Sequence, residues 1–309
     1  MNMIMNQLKT LNIPKVDLTG KVAIVTGGSQ GVGFGTSLIL AKLNCRVIVA
    51  SRSAEKCEKA VSEIKTKTGN ENVDFITLDL GSFKSVREFA DQVLQKEKAI
   101  DFLILNAGAV YHSYEKTDDD IEKNLQINHL SHLLLALLLI PIIPKSKESR
   151  LVFVSSRLHL SGKLTVPDTL HLAPENFSKF QRYNDTKLMN VLTVKELSRK
   201  LYNTGIIVAA VNPGLVKSNL SQANSSDDFS GKVEKCLVTA FSNLLGRDEE
   251  QGAMTSVYAA ISDDTATGGY YDSCEPSKYN PLADDVKLCA ELYSESLKVI
   301  GFDDKGIFV

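Results

Sequence analysis

The 309-residue sequence predicts an α/β fold, a doubly wound parallel sheet of about seven strands with helices on both faces. Three observations point there. Short apolar runs recur along the chain, and they are nearly continuous rather than alternating, as strands covered on both faces require. Between successive runs lies an amphipathic stretch long enough for a helix, and strict strand–helix alternation gives parallel strands joined by right-handed crossovers. The composition is globular, with 43% apolar and 23% charged residues, which sets disorder, collagen and coiled coil aside.

In order, the predicted strands are Val22–Thr26, Arg46–Ala50, Val73–Leu78, Phe102–Leu105, Leu151–Val154, Ile207–Val211 and a short Tyr270–Tyr271. The predicted helices cover 32–43, 54–67, 83–97, 119–140, 183–202, 232–245, 249–262 and 284–299. Residues 1–19 read as an arm before the first strand. No linker divides residues 20–309, which are expected to form one domain. Two stretches interrupt the alternation, 157–180 and the Ser/Asn/Asp-rich 218–231. Both come after strand C-termini, the side on which open α/β sheets bind ligands, and both are expected to be substrate loops. Leu160, Leu164, Val166, Leu170, Leu172 and Phe177 in the first either cover a lipid-like ligand or pack on the protein itself. The polar second suits a lid that closes on binding.

Lys and Arg total 35 against 37 Asp and Glu, so no basic face is advertised and nucleic acid is not an expected partner. The five cysteines, at 45, 57, 236, 274 and 289, form no Cys-x-x-Cys pair, which argues for a reducing compartment over a disulfide scaffold. The N-terminus lacks the basic and long apolar regions of a signal peptide. The strongest apolar run, Leu133–Pro144, is shorter than the ~20 residues of a membrane span and holds Pro141 and Pro144. It reads as the end of a buried helix. A cytoplasmic protein without a transmembrane segment is expected, with peripheral contact to lipid compatible with that.

The chemistry gathers at strand ends. The first strand runs into Thr26-Gly-Gly-Ser-Gln-Gly-Val-Gly33 and then a helix. Gly27, Gly31 and Gly33 allow a tight turn and close approach to a pyrophosphate, and the helix start offers N–H groups and a positive dipole end. A plain Gly-rich turn is the alternative; a P-loop is not, because no Gly-Lys-Ser/Thr comes after it. Ala50-Ser51-Arg52-Ser53 closes the second strand without the acidic residue that holds an NAD ribose. A guanidinium there suits the 2′-phosphate of NADP, with Lys56 one turn on, unless Arg52 is only a solvated surface cation. A short Asp79, next to Leu80, can bond the adenine amine. Asn106-Ala107-Gly108 leaves room beside its strand end.

After the fifth strand come Ser155-Ser156, then Tyr183-Asn-Asp-Thr-Lys187. Four residues apart on a helix, Tyr183 and Lys187 share a face. An ammonium and a nicotinamide cation both favour the phenolate and lower its pKa, which suits proton exchange with a carbonyl or alcohol oxygen. A neighbouring Ser hydroxyl holds the developing oxyanion. Alone, the Tyr-x-x-x-Lys pattern arises often by chance. His129 and His132, one turn apart, read as a helix face rather than metal ligands. Asp118-Asp-Asp120 reads as a charged helix start, and Cys274 as a small apolar residue. No metal site is expected.

Together Thr26-Gly-x-x-x-Gly-Val-Gly33, Asp79, Asn106-Ala-Gly, Asn128, Ser156, Tyr183-x-x-x-Lys187 and Pro213-Gly214 resemble the short-chain dehydrogenase/reductase family in its order. The resemblance covers roughly 18–300. Gly31-Val-Gly-Phe, Asn128-His-Leu-Ser-His, Ser155-Ser156 with His159, Asp248-Glu-Glu-Gln-Gly-Ala and Gly269-Tyr-Tyr are similar to the retinol dehydrogenase branch, which includes the WW-domain-containing oxidoreductase. Protochlorophyllide reductase shares much of the pattern. The resemblance implies a Rossmann-like fold, NADP(H) as cofactor and a homo-oligomer. It implies Tyr183 as acid/base and Lys187 as partner of the nicotinamide ribose. Ser156 would orient the substrate oxygen, with Ser155 the runner-up, and Asn128 would hold a water in a proton relay. Cofactor contacts are implied at Gly27, Ser29, Gln30, Gly31, Val32, Gly33, Ser51, Arg52, Asp79, Leu80, Asn106, Ala107, Gly108, Pro213, Gly214 and Val216. The 27-residue step from Ser156 to Tyr183 is about twice that of many members, and the retinol dehydrogenase branch carries a similar insertion. The expected enzyme moves hydride between nicotinamide and a carbonyl or alcohol of a retinoid, steroid or lipid-like substrate. A xenobiotic or polyketide carbonyl reductase is the second enzyme reading, and a non-catalytic NADPH-binding scaffold the third.

Overall fold

The computed structural model describes residue 7, residues 9–216 and residues 246–308. Each apolar run forms a strand: β1 (Val22–Thr26), β2 (Arg46–Ser51), β3 (Val73–Thr77), β4 (Phe102–Leu105), β5 (Arg150–Val154), β6 (Ile207–Asn212) and β7 (Gly269–Asp272). An eighth strand, β8 (Glu275–Pro276), extends the expected seven. The sheet order is β3-β2-β1-β4-β5-β6-β7-β8. The first seven strands are parallel, and β8 pairs antiparallel with β7. The order reverses between β1 and β4, which opens a crevice at their C-terminal ends.

Helices lie on both faces. They are α1 (Gly31–Lys42), α2 (Ala54–Thr68), α3 (Phe83–Lys96), α4, α5 (Lys179–Lys200), α6 (Glu249–Ile261) and α7 (Val286–Ile300). Helix α4 is composite: Lys123–Leu125, a π-helical turn Gln126–Leu130, then Ser131–Leu139. Strand side chains sort by parity, because successive residues point to opposite faces. Ala23, Val25, Val47 and Val49 join Leu38 of α1, Ile64 of α2 and Val257 of α6 in one core cluster. Ile24, Ile48, Leu103 and Phe153 join Phe89 of α3, Leu134 of α4, Leu188 of α5 and Leu292 of α7 in the other. Ser53, Ser82, Asp248 and Asp285 accept first-turn N–H bonds at the starts of α2, α3, α6 and α7.

The boundaries depart from expectation in three places. The helix expected over 119–140 begins at Lys123, and Asp118–Asp120 forms a turn instead of a helix start. Thr117 N–H donates to the Ile121 carbonyl there, and Asp120 is left-handed (φ 62°). The cap is Glu122, whose carboxylate accepts from the Asn124 and Leu125 N–H groups. Asp119 instead accepts from Phe83 N–H at the head of α3. Helix α5 begins four residues before Tyr183, so Tyr183 sits one turn inside it. The β7–β8 hairpin turns on Ser273 and Cys274, both left-handed (φ 56° and 61°), as a two-residue primed turn requires. Those residues lack the Asn-Gly signature. Cys274, expected to be a small apolar residue, is a half-buried turn residue.

Lys123–Ile142 is long and apolar enough to cross a membrane, but 78% of its most apolar window is buried inside the protein. That matches its reading as a core helix. The expected helix at 232–245 and the lid at 218–231 lie outside the described residues.

Candidate active site

The crevice is built around Thr26 at the end of β1. Its hydroxyl oxygen accepts from the Asn106 and Ala107 N–H groups at 2.8 and 3.0 Å. It lies 3.0 Å from His132 Nε2. With its own lone pairs occupied, the hydroxyl donates to the ring. The other ring nitrogen then carries the proton toward the Asn128 carbonyl, 3.4 Å away. Burial holds the ring neutral, with its pKa pushed down to about 3. His129 is likewise buried, against Asn190 and Ser296. Among the described residues no cluster of His, Cys, Asp and Glu is arranged to hold a metal.

The glycines bring the turn and the start of α1 against each other. Gly27 is left-handed (φ 66°), and a Cβ on Gly33 would stand 2.2 Å from the Gly27 carbonyl oxygen. The start of α1 does not present all its N–H groups to an anion, because Gly31 N–H donates to Glu249 Oε1 at 2.8 Å. The Val32 and Gly33 N–H groups stand next in that first turn, which has no earlier helical carbonyl to bond. Gln30 is the exposed residue preceding α1, and Ser29 Oγ donates to Ser51 Oγ at 3.0 Å. Arg52 is exposed beside them, and among the described residues its guanidinium forms no hydrogen bond or ion pair. Its charge acts on Lys123, across the crevice at the start of α4.

Asp79 Oδ1 accepts from Gly81 N–H, and the Leu80 carbonyl accepts from Ser131 Oγ. Asn106 Nδ2 donates to the Thr26 carbonyl at 2.8 Å, which fixes the loop through Ala107 and Gly108. A Cβ on Gly108 would meet Lys187 Nζ at 3.3 Å and Asn128 Oδ1 at 3.6 Å, so Gly108 faces both. Pro213 and Gly214 come directly after β6, with Gly214 left-handed (φ 79°) and close to Arg247 Nη1. The Val216 side chain packs on Gly252 of α6.

Four residues meet at the crevice mouth. The Tyr183 phenol and the Ser156 hydroxyl share a hydrogen bond. Ser155 takes a different part: its buried hydroxyl donates to the Lys187 carbonyl at 2.7 Å and pins α5 to β5. Lys187 Nζ donates to the Val154 carbonyl at 2.9 Å and lies 5.6 Å from the Tyr183 ring centre. Burial pushes the ammonium down to about 8. The lowered phenol pKa expected for Tyr183 is not found. Burial dominates and raises it to about 12, opposed only by the bond to Ser156. Asn128 completes the group. Its side chain is committed to Ala109 (Oδ1 accepting at 2.7 Å, Nδ2 donating at 2.9 Å) and to Thr186. Its backbone carbonyl lies in the π-helical turn, where i−4 bonding is interrupted, and accepts from Asn190 Nδ2 at 3.0 Å.

The insertion divides in two. Leu164 and Leu170 join the core, with Val166 packed against it, so that part serves the protein itself. Leu158 and Leu160, beside Ser156, are 49% and 42% exposed, and Phe180, one turn before Tyr183, is 55% exposed. The residues that sequence reasoning missed are Thr26 and His132 as organisers and Glu249 as the partner of Gly31. None carries a local signal, since their contacts span 80 to 218 residues.

Comparison with known proteins adds relatives to this geometry. The family model for short chain dehydrogenase matches residues 21–168. Human retinol dehydrogenase 13 is 34% identical over 297 residues, covering 95% of this chain and 88% of that protein. An uncharacterised protein of Mycobacterium paratuberculosis superposes with a TM-score of 0.75 at 26% identity, over 95% of this chain and 99% of that one. L-sorbose reductase from Gluconobacter frateurii, solved with NADPH and L-sorbose, shares the fold (TM-score 0.65, 20% identity, 84% of this chain and 97% of that one).

Proposed function

Because the chain belongs to the short-chain dehydrogenase/reductase family, in its retinol dehydrogenase branch, and is an oxidoreductase of alcohols and carbonyls, we propose that it uses NADP(H) on an apolar, lipid-like aldehyde, ketone or alcohol. The observation that carries this reading is the meeting of Ser156, Tyr183 and Lys187 beside Gly108, at the switch point of the sheet. The bound nicotinamide supplies or accepts the hydride.

The chain's own residues do the rest. Gly27 and Gly33 admit the dinucleotide backbone against the start of α1, where a side chain would collide with the Gly27 carbonyl. Arg52, unpaired among the described residues at the end of β2, meets the 2′-phosphate. Lys187 holds the ribose from beneath Gly108. Ser156 donates to the substrate oxygen, and Tyr183 gives that oxygen its proton in reduction or takes it in oxidation. With its phenol near 12 in the chain alone, Tyr183 is a protonated donor at neutral pH, poised for reduction. Positive charge brought against its ring favours the reverse direction. A water that returns the proton would meet Lys187 Nζ and Asn128, the two groups that face Gly108. Leu158, Leu160 and Phe180 make the mouth apolar, as a hydrophobic substrate requires. A reducing, cytoplasmic setting fits the four free thiols among the described residues.

The test is NADPH oxidation with a panel of aldehydes and ketones, in wild type and Tyr183→Phe. The variant keeps the ring and should keep NADPH affinity, while turnover falls by about 10²–10⁴-fold. Turnover close to wild type would move the proton to another residue. No turnover of any carbonyl by wild type, with NADPH bound, would favour the scaffold reading.

A further inference from the structure

His159 lies outside the reacting group, yet both of its ring nitrogens are committed. It is buried three residues after Ser156, in the 3-10 turn Arg157–Ser161. Its Nδ1 lies 2.6 Å from the Ser156 carbonyl oxygen, and its Nε2 lies 3.3 Å from the Asn280 backbone nitrogen. A carbonyl only accepts and a backbone N–H only donates, so one arrangement satisfies both contacts: the neutral ring with hydrogen on Nδ1 and a bare Nε2. The ring packs on Tyr270 of β7, tilted by 49° with centres 4.5 Å apart. Asn280 closes the other side, its Nδ2 donating toward the His159 and Gly162 carbonyls at 3.3 and 3.2 Å. It also caps the short turn Pro281–Asp284 that leads into α7.

We propose that His159 is a positioning residue for the Ser156–Tyr183 pair: its imidazole, held as the Nδ1–H tautomer between the Ser156 carbonyl and the Asn280 amide, fixes the pitch of the Ser156 hydroxyl. The inference rests on the proposed reading of Ser156 and Tyr183. The Ser156 backbone has little other freedom. Its carbonyl also accepts from His159 N–H at 3.0 Å, and its hydroxyl accepts from Leu158 N–H at 3.2 Å. Rotation of the carbonyl swings the hydroxyl away from Tyr183, and displacement by about 1 Å is enough to cost about 10²-fold in rate.

Protonation breaks this device, because a proton on Nε2 would confront the Asn280 N–H. Burial, opposed by the bond to Ser156, lowers the His159 pKa, so the device is intact at neutral pH and fails as pH drops below the usual histidine range. The groups facing His159 do not change that sign. Tyr270 is held neutral by burial, Arg157 and Asp272 face each other at 3.6 Å, and Lys195 sits over the Tyr279 ring. Tyr183 and Lys187, from α5, are shifted to about 12 and about 8, well above the acid range.

The experiment compares His159→Phe, which keeps a ring on Tyr270 but loses both bonds, with His159→Asn, which keeps a donor near the Nδ1 position. The probe is NADPH with all-trans-retinal, or another aldehyde that wild type reduces. His159→Phe should lower kcat by about 10–100-fold with KM and NADPH Kd unchanged, and His159→Asn should recover most of the loss. The acid limb of the wild-type kcat profile should be absent in His159→Asn. Wild-type kcat in His159→Phe, or an acid limb unchanged in His159→Asn, overturns the proposal, and so do equal losses in both variants that track melting temperature. Should His159→Phe fail to fold, the pH profile of His159→Asn decides. Wild-type turnover in Tyr183→Phe would instead overturn the reading of the pair itself, whatever His159 does.

Discussion

Tyr183 and Lys187 lie one helical turn apart, and desolvation moves the phenol up to about 12 and the ammonium of the buried Lys187 down to about 8. The free enzyme therefore loses the Lys187 charge as pH rises through about 8. Below that pH the ammonium is present to hold ribose hydroxyls, and above it the donor weakens. The kcat/KM for NADPH, which reports the free enzyme, should show an alkaline limb near pH 8, and Lys187→Arg should lack it. Arg52 is tested by a difference of cofactors. Losing a charge-assisted bond to the 2′-phosphate costs ~1.5–3 kcal/mol, so Arg52→Ala should weaken NADPH by roughly tenfold or more. NADH affinity should stay as it was; equal loss of both in a binding titration would remove Arg52 from the phosphate site. At this scale the sequence is legible where chemistry demands a residue type at a fixed spacing, as with Tyr183 and Lys187. It is silent where a side chain's task is set by the fold. Ser155 and Ser156 are adjacent and alike, but one faces the backbone of α5 and the other faces Tyr183.

Helix α1 shows how elements are held to the site. Two of its glycines face different neighbours at the same distance. A Cβ on Gly33 would stand 2.2 Å from the Gly27 carbonyl, inside the phosphate loop; one on Gly35 would stand 2.2 Å from the Glu249 carbonyl, at the start of α6. Either alanine forces backbone to shift, which costs about 1–3 kcal/mol. The consequences should separate. Gly35→Ala should lower the melting temperature by several degrees, while the phosphate loop is disturbed less. Gly33→Ala should lose NADPH binding out of proportion to its stability. Paired melting and binding measurements check this, and identical profiles for the two would refute it. Helix cores are readable from apolar periodicity, whereas the start of α4 is not. Three aspartates resemble a dipole-matched helix start, but the cap is Glu122, which also receives buried Arg182 Nε at 2.7 Å. A tertiary ion pair outranks a local preference.

Across the whole molecule, the legible part of the fold derives from covering a parallel sheet on both faces. That demand writes continuous apolar strands and amphipathic helices into the chain, so seven strands can be read directly, whereas their order, with its reversal between β1 and β4, is seen only in the fold. β8 cannot: two residues, Glu275 and Pro276, carry no apolar pattern, and the turn before them is fixed by Arg247, whose Nη2 donates to Ser273 Oγ at 3.0 Å. Arg247 has a second contact of wider reach. It forms a bridge with Val216, and its N–H donates to the Leu215 carbonyl at 2.9 Å. Among the described residues, one rung joins the strand-end side of the chain at 216 to its continuation at 247. The two ends of the segment between those positions are therefore held side by side by the body of the fold, and its length is not set by the register of any strand in the sheet. Loop length is a mild constraint, about 0.6 kcal/mol per doubling. On the expectation that 218–231 is a substrate loop, a chimera carrying a relative's 217–245 segment should melt like its parent and bind NADPH as before while accepting a different range of carbonyls; an unchanged carbonyl range would take substrate choice away from this segment and place it on the fixed body of the sheet.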